Sequence, residues 1–389
     1  MSSPLHGAAY IVAARRSALG RIGGLHRARR LEDLAAPVIV AVLTDAGIDP
    51  AEVEEIVVGN ASQGANPARM IALAAGLPET ASALTIDRQG SSGLDAILHA
   101  ARSVALGESD VIVAGGAESL STAPWRIARP RSIYQTPHFM ALEPTSEVPT
   151  EVPYSLEASE LLAKRLGISR QAQDAFALKS HLRAEAAREA RRFVGEIVPL
   201  RANRDEARDE SAVAPSLEDI EAETTYWAPN GTLTPANTSQ PHDGAAFVAV
   251  VSEAVWQRLG QPPALRLVAS AARGVASADE AGAPIAAMQK LYGRLNGFDR
   301  SAITSIELGE TSAAQALACI NELGVDESLV NAEGGAVVRG HPLGASGAVL
   351  VVRLFSRLVR GNKNGRSGFG AVTQGASGGL GLAALFEAV

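Results

Sequence analysis

Apolar positions along the chain fall into two recurring patterns. Short apolar runs at 10–12, 55–59, 83–86 and 110–116 read as strands. The last of these is continuous, as expected for a sheet covered on both faces. Between the runs, apolar residues recur at helical spacing. Segment 31–46 places Leu34, Val38, Val42 and Leu43 on one face, and 67–75 also reads as helix. Segment 92–106 is apolar around most of its girth, which predicts a helix buried on nearly all sides.

The pattern repeats. Ser91-Ser92-Gly93, a helix, Gly107 and a strand over 110–114 return as Ala345-Ser346-Gly347, a helix over 346–360, Gly361 and a strand over 368–372. This predicts an internal duplication of one βα unit. The segment between, roughly 120–243, differs in character. It holds Pro-rich stretches and one strongly charged amphipathic helix over 169–193, with Ser169 as N-cap and Phe176 and Leu182 among its apolar positions.

Composition narrows the class. The chain has 389 residues, 47% hydrophobic and 20% charged, enough for two or three lobes and a large core. A net charge of −7 argues against nucleic acid as a main partner, and no basic run points to a membrane surface. A single cysteine, Cys319, rules out a disulfide framework within the chain and fits a reducing compartment. No charged segment with an apolar core precedes the first strand, and no apolar stretch approaches a membrane span, so a cytoplasmic protein is expected. No His/Cys/Asp spacing suggests a metal, and no G-x-x-x-x-G-K-[ST] loop occurs.

Several strings carry a resemblance. Residues 14–20 (ARRSALG), Gly59-Asn60 with 66–69 (NPAR), 114–121 (AGGAESLS), 231–239 (GTLTPANTS) with 243–246 (DGAA), and 340–347 (GHPLGASG) after Gly334-Gly335 are similar, in this order, to motifs of the thiolase family. The resemblance covers nearly the whole chain. It implies two duplicated α/β lobes in a layered α-β-α-β-α arrangement. One lobe would take 1–120 plus about 244–268, the other 269–389, with a loop region over 121–243 inserted above the pocket.

It also implies a division of labour. In the family a cysteine at a helix N-terminus attacks an acyl-CoA and a histidine in G-H-P activates it. An asparagine in N-E-A-F holds a water for one oxyanion hole, and a second cysteine in C-x-G moves the α-proton. Helix N-termini favour both a thiolate and an oxyanion. Carried over residue by residue, only His341 survives as a catalytic side chain. The nucleophile position, in 87–96 (DRQGSSGLDA), is Gly90. The water-holding position is Gly309, and the proton-shuttle position is Gly375, with Thr373 competing in register. Gly90 and Ser377 stand where a second oxyanion hole takes its backbone donors. Ser239, Asn237 and Glu310 complete the expected substrate-binding set, Glu310 reading first as structural. Ser91 and Ser92 read as helix caps, since one step along a helix turns a side chain by roughly 100°. Gln89, Thr311 and Gln374 are candidates to plug the space, and His242 is a candidate second base.

Two functions follow. The first is a thiolase-like acyl-CoA-binding protein of lipid metabolism, an acyltransferase by resemblance. It would be deficient in thiolysis and Claisen condensation and capable of non-covalent thioester chemistry at His341. The alternative is a catalytically inactive scaffold or regulatory subunit for an active partner. The ligand is an acyl-CoA, or a small acyl compound without CoA, because 145–157 departs from the family's M-G-x-T-A-E-N pattern. No cofactor beyond the CoA thioester is implied. Family dimers pair the strand that precedes the nucleophile helix, and the apolar run 83–86 predicts a homodimer or homotetramer here.

Overall fold

The computed structural model describes residues 7–140, 154–200, 208–210, 215–361 and 368–389. The first lobe runs β1 (Ala9–Ser17), β2 (Gly20–Arg21), α1 (Leu31–Ala46), β3 (Glu55–Gly59), α2 (Pro67–Ala74), β4 (Ser82–Ile86), α3 (Ser92–Leu106) and β5 (Val111–Glu118). The intervening segment carries α4 (Tyr154–Leu166), α5 (Arg170–Glu189), β6 (Ile197–Val198) and α6 (Leu217–Ala222). Strand β7 (His242–Ser252) rejoins the first sheet, followed by α7 (Glu253–Arg258). The second lobe runs β8 (Leu265–Gly274), α8 (Ala283–Arg294), β9 (Ile303–Leu308), α9 (Ala313–Leu323), the single turn α10 (Ala336–Arg339), α11 (Leu343–Phe355), β10 (Phe369–Ala376) and β11 (Leu380–Ala388).

The two lobes repeat one topology. In the first, the order is β4-β3-β5-β7-β1, parallel at the β4 side and antiparallel at the β1 side. In the second, β9-β10-β11-β8 has the same sequence of parallel and antiparallel pairings. The place of β4 is held there by one parallel bridge, Ile306 to Val330. The first lobe has five strands in its sheet, and the fifth strand of the second is shortened for a local reason. A 3₁₀ turn over Glu327–Leu329 precedes Val330, and Asn331 follows with a left-handed φ of 43°. Only one extended residue fits between them. The sheets join edge to edge where Tyr10 and Ile11 pair with Arg266 and Leu265.

Helices α3 and α11 pack against each other between the two sheets. The inner face of β7 (Ala246, Val248, Val250) joins them in one core, with Leu382, Ala384 and Phe386 of β11. The alternate residues of β7 (Ala245, Phe247, Ala249, Val251) meet α1 and α2 on the outside. Helices α8 and α9 cover the outer face of the second sheet. Both faces of each sheet are therefore buried, which is why the strands read as continuous apolar runs. The repeated Ser-Gly pair has a physical cause. A Cβ on Gly93 would lie 2.7 Å from the Gly344 carbonyl, and one on Gly347 would lie 2.5 Å from the Leu94 amide nitrogen. The helices cross with backbones in contact, and only glycine permits that approach.

Three sequence expectations shift. The second-lobe helix begins at Leu343 rather than 346 and ends in a π turn over Ser356–Arg360. The charged helix stops at Glu189, with Ser169 capping it through the Ala172 amide. Its Phe176 is buried, but Leu182 is 52% exposed.

A buried ionic cluster lies where the intervening segment meets α11. Arg16 holds Glu196 at 2.6 Å and Asp209 at 2.6 and 2.9 Å. Arg353 pairs with Glu196 and Glu333. Burial alone would raise the Glu196 carboxyl; Arg353 and Arg16 overcome it and hold it down at about 2.

Candidate functional site

The site lies where the tips of α3 and α11 face each other. His341 enters it from the turn between α10 and α11. Its amide donates to the Gln240 carbonyl (2.9 Å), and its carbonyl accepts from the His242 amide (3.1 Å), so segment 240–242 fixes the backbone. Gly340 has φ 89°, and a Cβ there would fall 2.1 Å from His242 Nδ1. The glycine of the G-H-P string is thus required by His242 packing. Ser346 Oγ lies 2.7 Å from His341 Nδ1, orienting the ring from within the same turn. Burial, with His242 adding to it, pushes the imidazole down to about 4, so the ring is neutral at physiological pH.

Opposite stands Gly90. A Cβ built there would lie 3.1 Å from both His341 Cε1 and Nε2, which places the ring against the first side-chain atom that position would carry. The turn presenting it is strained: Gln89 has φ 48°, in the left-handed region. Gln89 itself turns away, its amide nitrogen 3.2 Å from Asp87 Oδ1. Neither neighbouring serine caps the helix as the sequence suggests. Ser91 occupies the N-cap position without a side-chain cap bond, its hydroxyl reaching the Gly375 carbonyl at 3.2 Å instead. Ser92 Oγ accepts from the Arg88 amide and donates to the Gln89 carbonyl, closing the turn on itself. Both hydroxyls are committed to backbone partners.

The third side of the site is Gln374 of β10, which is 2% exposed. Its side chain fills the space in front of Gly309, where a Cβ would meet Gln374 Cγ at 2.8 Å. It also reaches toward Gly90, with Nε2 at 3.4 Å from that position's virtual Cβ. Its Oε1 is buried without a hydrogen-bond partner. What remains beside His341 is a chamber of about 10 Å³, room for about one water. The Gly375 position is separate, facing Pro284 and Gln315.

Residues 9–254 match the family description "Thiolase, N-terminal domain", and residues 261–388 match "Thiolase, C-terminal domain". The chain belongs to the thiolase family. It is 36% identical to the beta-ketoadipyl-CoA thiolase of Pseudomonas aeruginosa, covering 96% of this chain and 98% of that one. It is 34% identical to the acetyl-CoA acetyltransferase of Cupriavidus necator, covering 97% and 98%. The crystal structure of the Bacillus anthracis acetyl-CoA acetyltransferase superposes over the full length of both chains with a TM-score of 0.91 at 32% identity. The layered two-lobe α/β architecture is that of the thiolase fold.

Several of the motif residues turn out to be struts. Glu118, buried at the end of β5, accepts from the Ala61 and Gly344 amides, both at 3.0 Å, and from Asn60 Nδ2 at 3.0 Å. It ties the tip of α11 to the loop that follows β3. Glu310, expected among the binding residues, spends its carboxylate on the Val337 amide (3.0 Å) and Asn331 Nδ2 (2.5 Å). Asn237, expected likewise, donates to Asp174 Oδ1 (2.9 Å) and accepts from the Thr234 amide (2.8 Å). These two hold the rim. Ser239 lies on the site side, its hydroxyl 3.2 Å from the Thr311 carbonyl, two residues beyond Gly309. Ser377 begins the turn whose next amides, Gly378 and Gly379, donate to Glu280. His242 is buried, with Nδ1 2.8 Å from the Gln240 carbonyl, so that nitrogen is engaged in the loop rather than aimed at the chamber. Cys319 sits in α9, remote from the site elements, and burial pushes its thiol up to about 12. Most of the 145–157 segment lies outside the described residues.

Proposed function

We propose that this thiolase-family protein binds acyl-CoA-class thioesters but does not carry out covalent thiolysis or Claisen condensation. One observation carries the reading: His341 Nε2 faces a glycine, where the covalent reaction needs a nucleophile. Ser91 and Ser92 do not replace it, since both hydroxyls are bound to backbone carbonyls. A neutral imidazole beside a helix tip retains the means to polarise or deprotonate a bound acyl group without an acyl-enzyme. In this reading His341 is the acid–base group. Gly90 and Ser377 offer backbone donors, and Ser239 flanks the thioester arm. The beta-ketoadipyl-CoA and acetyl-CoA named for the relatives set the substrate class to try first.

Intact-protein mass spectrometry after incubation with acetyl-CoA and acetoacetyl-CoA tests it. The expected result is no added acetyl mass and no thiolysis, together with a rise in melting temperature under saturating acyl-CoA. An acetylated peptide containing Ser91 or Ser92 overturns the non-covalent assignment. No thermal shift with CoA, acetyl-CoA or a medium-chain acyl-CoA overturns the binding assignment.

That last outcome would favour a second reading, a catalytically silent scaffold or regulatory subunit. Gln374 supports it by occupying the space a thioester would enter. In either case we infer a homodimer or larger homo-oligomer. Strand β4 ends the sheet, with Leu84 36% exposed, and Met70 and Leu73 of adjoining α2 are 53% and 45% exposed. Light scattering at micromolar concentration tests this; a monomer refutes it.

A further inference from the structure

Behind α10, away from His341, lies a cavity of about 240 Å³. Its polar walls are arginines: Arg188 of α5, Arg191 just beyond that helix, Arg208, and Arg339 of α10. Phe193 and Val338 supply an apolar floor. The single carboxylate in the wall, Asp209, is already held by two bonds from Arg16 and one from the Leu19 amide. Glu185 is bound to Arg188 at 3.3 Å, and Glu307 lies 3.7 Å from Arg339 Nη2. Among the described residues that line the space, four arginines stand against one carboxylate.

Arg339 decides what the space is for. It is 3% exposed, and its Nη1 has no hydrogen-bond partner. At 3.7 Å the approach of Glu307 is an ion pair without a hydrogen bond. A buried guanidinium with an unspent N–H is costly, since its hydration is lost and nothing replaces it. An oxyanion in the cavity would complete its bonding, and planar guanidinium groups suit carboxylate and phosphate oxygens by geometry. Arg191 supports the same assignment from the rim. It holds φ 56°, a left-handed conformation disfavoured for a residue with a side chain, at a helix end where glycine is the usual occupant.

We propose that this cavity is a binding site for a small oxyanion, a carboxylate or phosphate carried on a compact apolar body. Arg339 is its buried anchor, and Arg188, Arg191 and Arg208 are its rim. The site is distinct from the thioester site and does not depend on the function assigned there. Arg339 also borders the His341 chamber, so the two sites share one side chain.

Calorimetry on the full-length protein tests this with four probes at matched ionic strength: inorganic phosphate, glycerol 3-phosphate, succinate and glutarate. The expected result is saturable binding of at least one probe with Kd of about 1 mM or tighter, weakening as sodium chloride is raised. Preference for the first two marks a phosphate site, and preference for the last two a carboxylate site. Arg339→Gln should weaken binding about tenfold or more, with Arg339→Lys intermediate because it keeps the charge but loses the fork. Arg191→Gly relieves the backbone while removing a rim charge. It should weaken binding about threefold and remain informative if the Arg339 variants do not fold. No saturable binding by any probe overturns the proposal, as does binding that Arg191→Gly and the foldable Arg339 variants leave unchanged.

Discussion

The spaces on the two sides of α10 have opposite fates. On the His341 side two glycines, Gly90 and Gly309, face His341 and Gln374, yet only about 10 Å³ is left open. On the other side nothing has been removed relative to any expectation, yet about 240 Å³ persists. The difference lies in what lines them. Around His341 one long uncharged side chain, Gln374, fills the space in front of Gly309, and among the described residues Arg339 is the one charged group on the chamber wall. Around the second space the walls carry guanidinium groups. Closing it would strip water from several like charges, a penalty that packing does not return.

The largest expected effect separates the arginines that hold the fold from those that face the cavity. Arg353→Met leaves Glu196 and Glu333 facing apolar surroundings with one partner fewer. Removing one member of a buried pair costs about 3–5 kcal/mol, so the urea midpoint should fall steeply. Arg191→Gly should change stability by less than about 1 kcal/mol in either direction. Equal effects from the two would break the distinction.

The next largest addresses the closed side. Gly309→Ala puts a methyl 2.8 Å from Gln374 Cγ and should cost about 1–3 kcal/mol by overpacking. In a Gln374→Ala background the same change should be nearly neutral. A double-mutant cycle therefore gives a coupling of at least about 1 kcal/mol. Additive effects would mean that Gln374 is not what fills the space.

A smaller effect concerns protonation. His341 sits at about 4 in the folded protein against about 6.5 when unfolded, so the unfolded state binds the extra proton in between. The stability this histidine permits is complete above about 6.5 and is lost as pH falls toward about 4. The difference between wild type and His341→Gln, followed by denaturant unfolding across pH 4–8, should slope only in that interval. A flat difference would place the ring in contact with solvent.

Much of the fold was legible because burial on both faces leaves a one-letter trace. The helices 31–46 and 92–106 have the boundaries that their apolar spacing suggests. The Ser-Gly repeat, which marks the helix crossing, was visible in the chain alone. The fifth strand of the second lobe was not legible, since it depends on one left-handed asparagine. In the site, that a glycine stands at position 90 was plain from the chain alone. The tenancy of Gln374 was open among three candidates, because which neighbour fills a gap is decided by packing rather than by periodicity. Asn237 and Glu310 bond to neighbouring loops, and a motif match does not tell a side chain that touches ligand from one that props the loop beside it. Arg339 gave no signal at all, being one basic residue in an apolar turn.

The burial of Cys319 has a practical corollary. With its thiol at about 12, this protein offers no thiolate to iodoacetamide, peroxide or an electrophilic inhibitor at neutral pH. Reagents that silence cysteine enzymes should pass it by, so in a mixture with an active thiolase it would survive alkylation unmarked. A Gly90→Cys variant would then carry a single addressable sulfur beside His341. That sulfur would be a labelling handle facing the imidazole, from which a fluorophore or spin probe could report what enters.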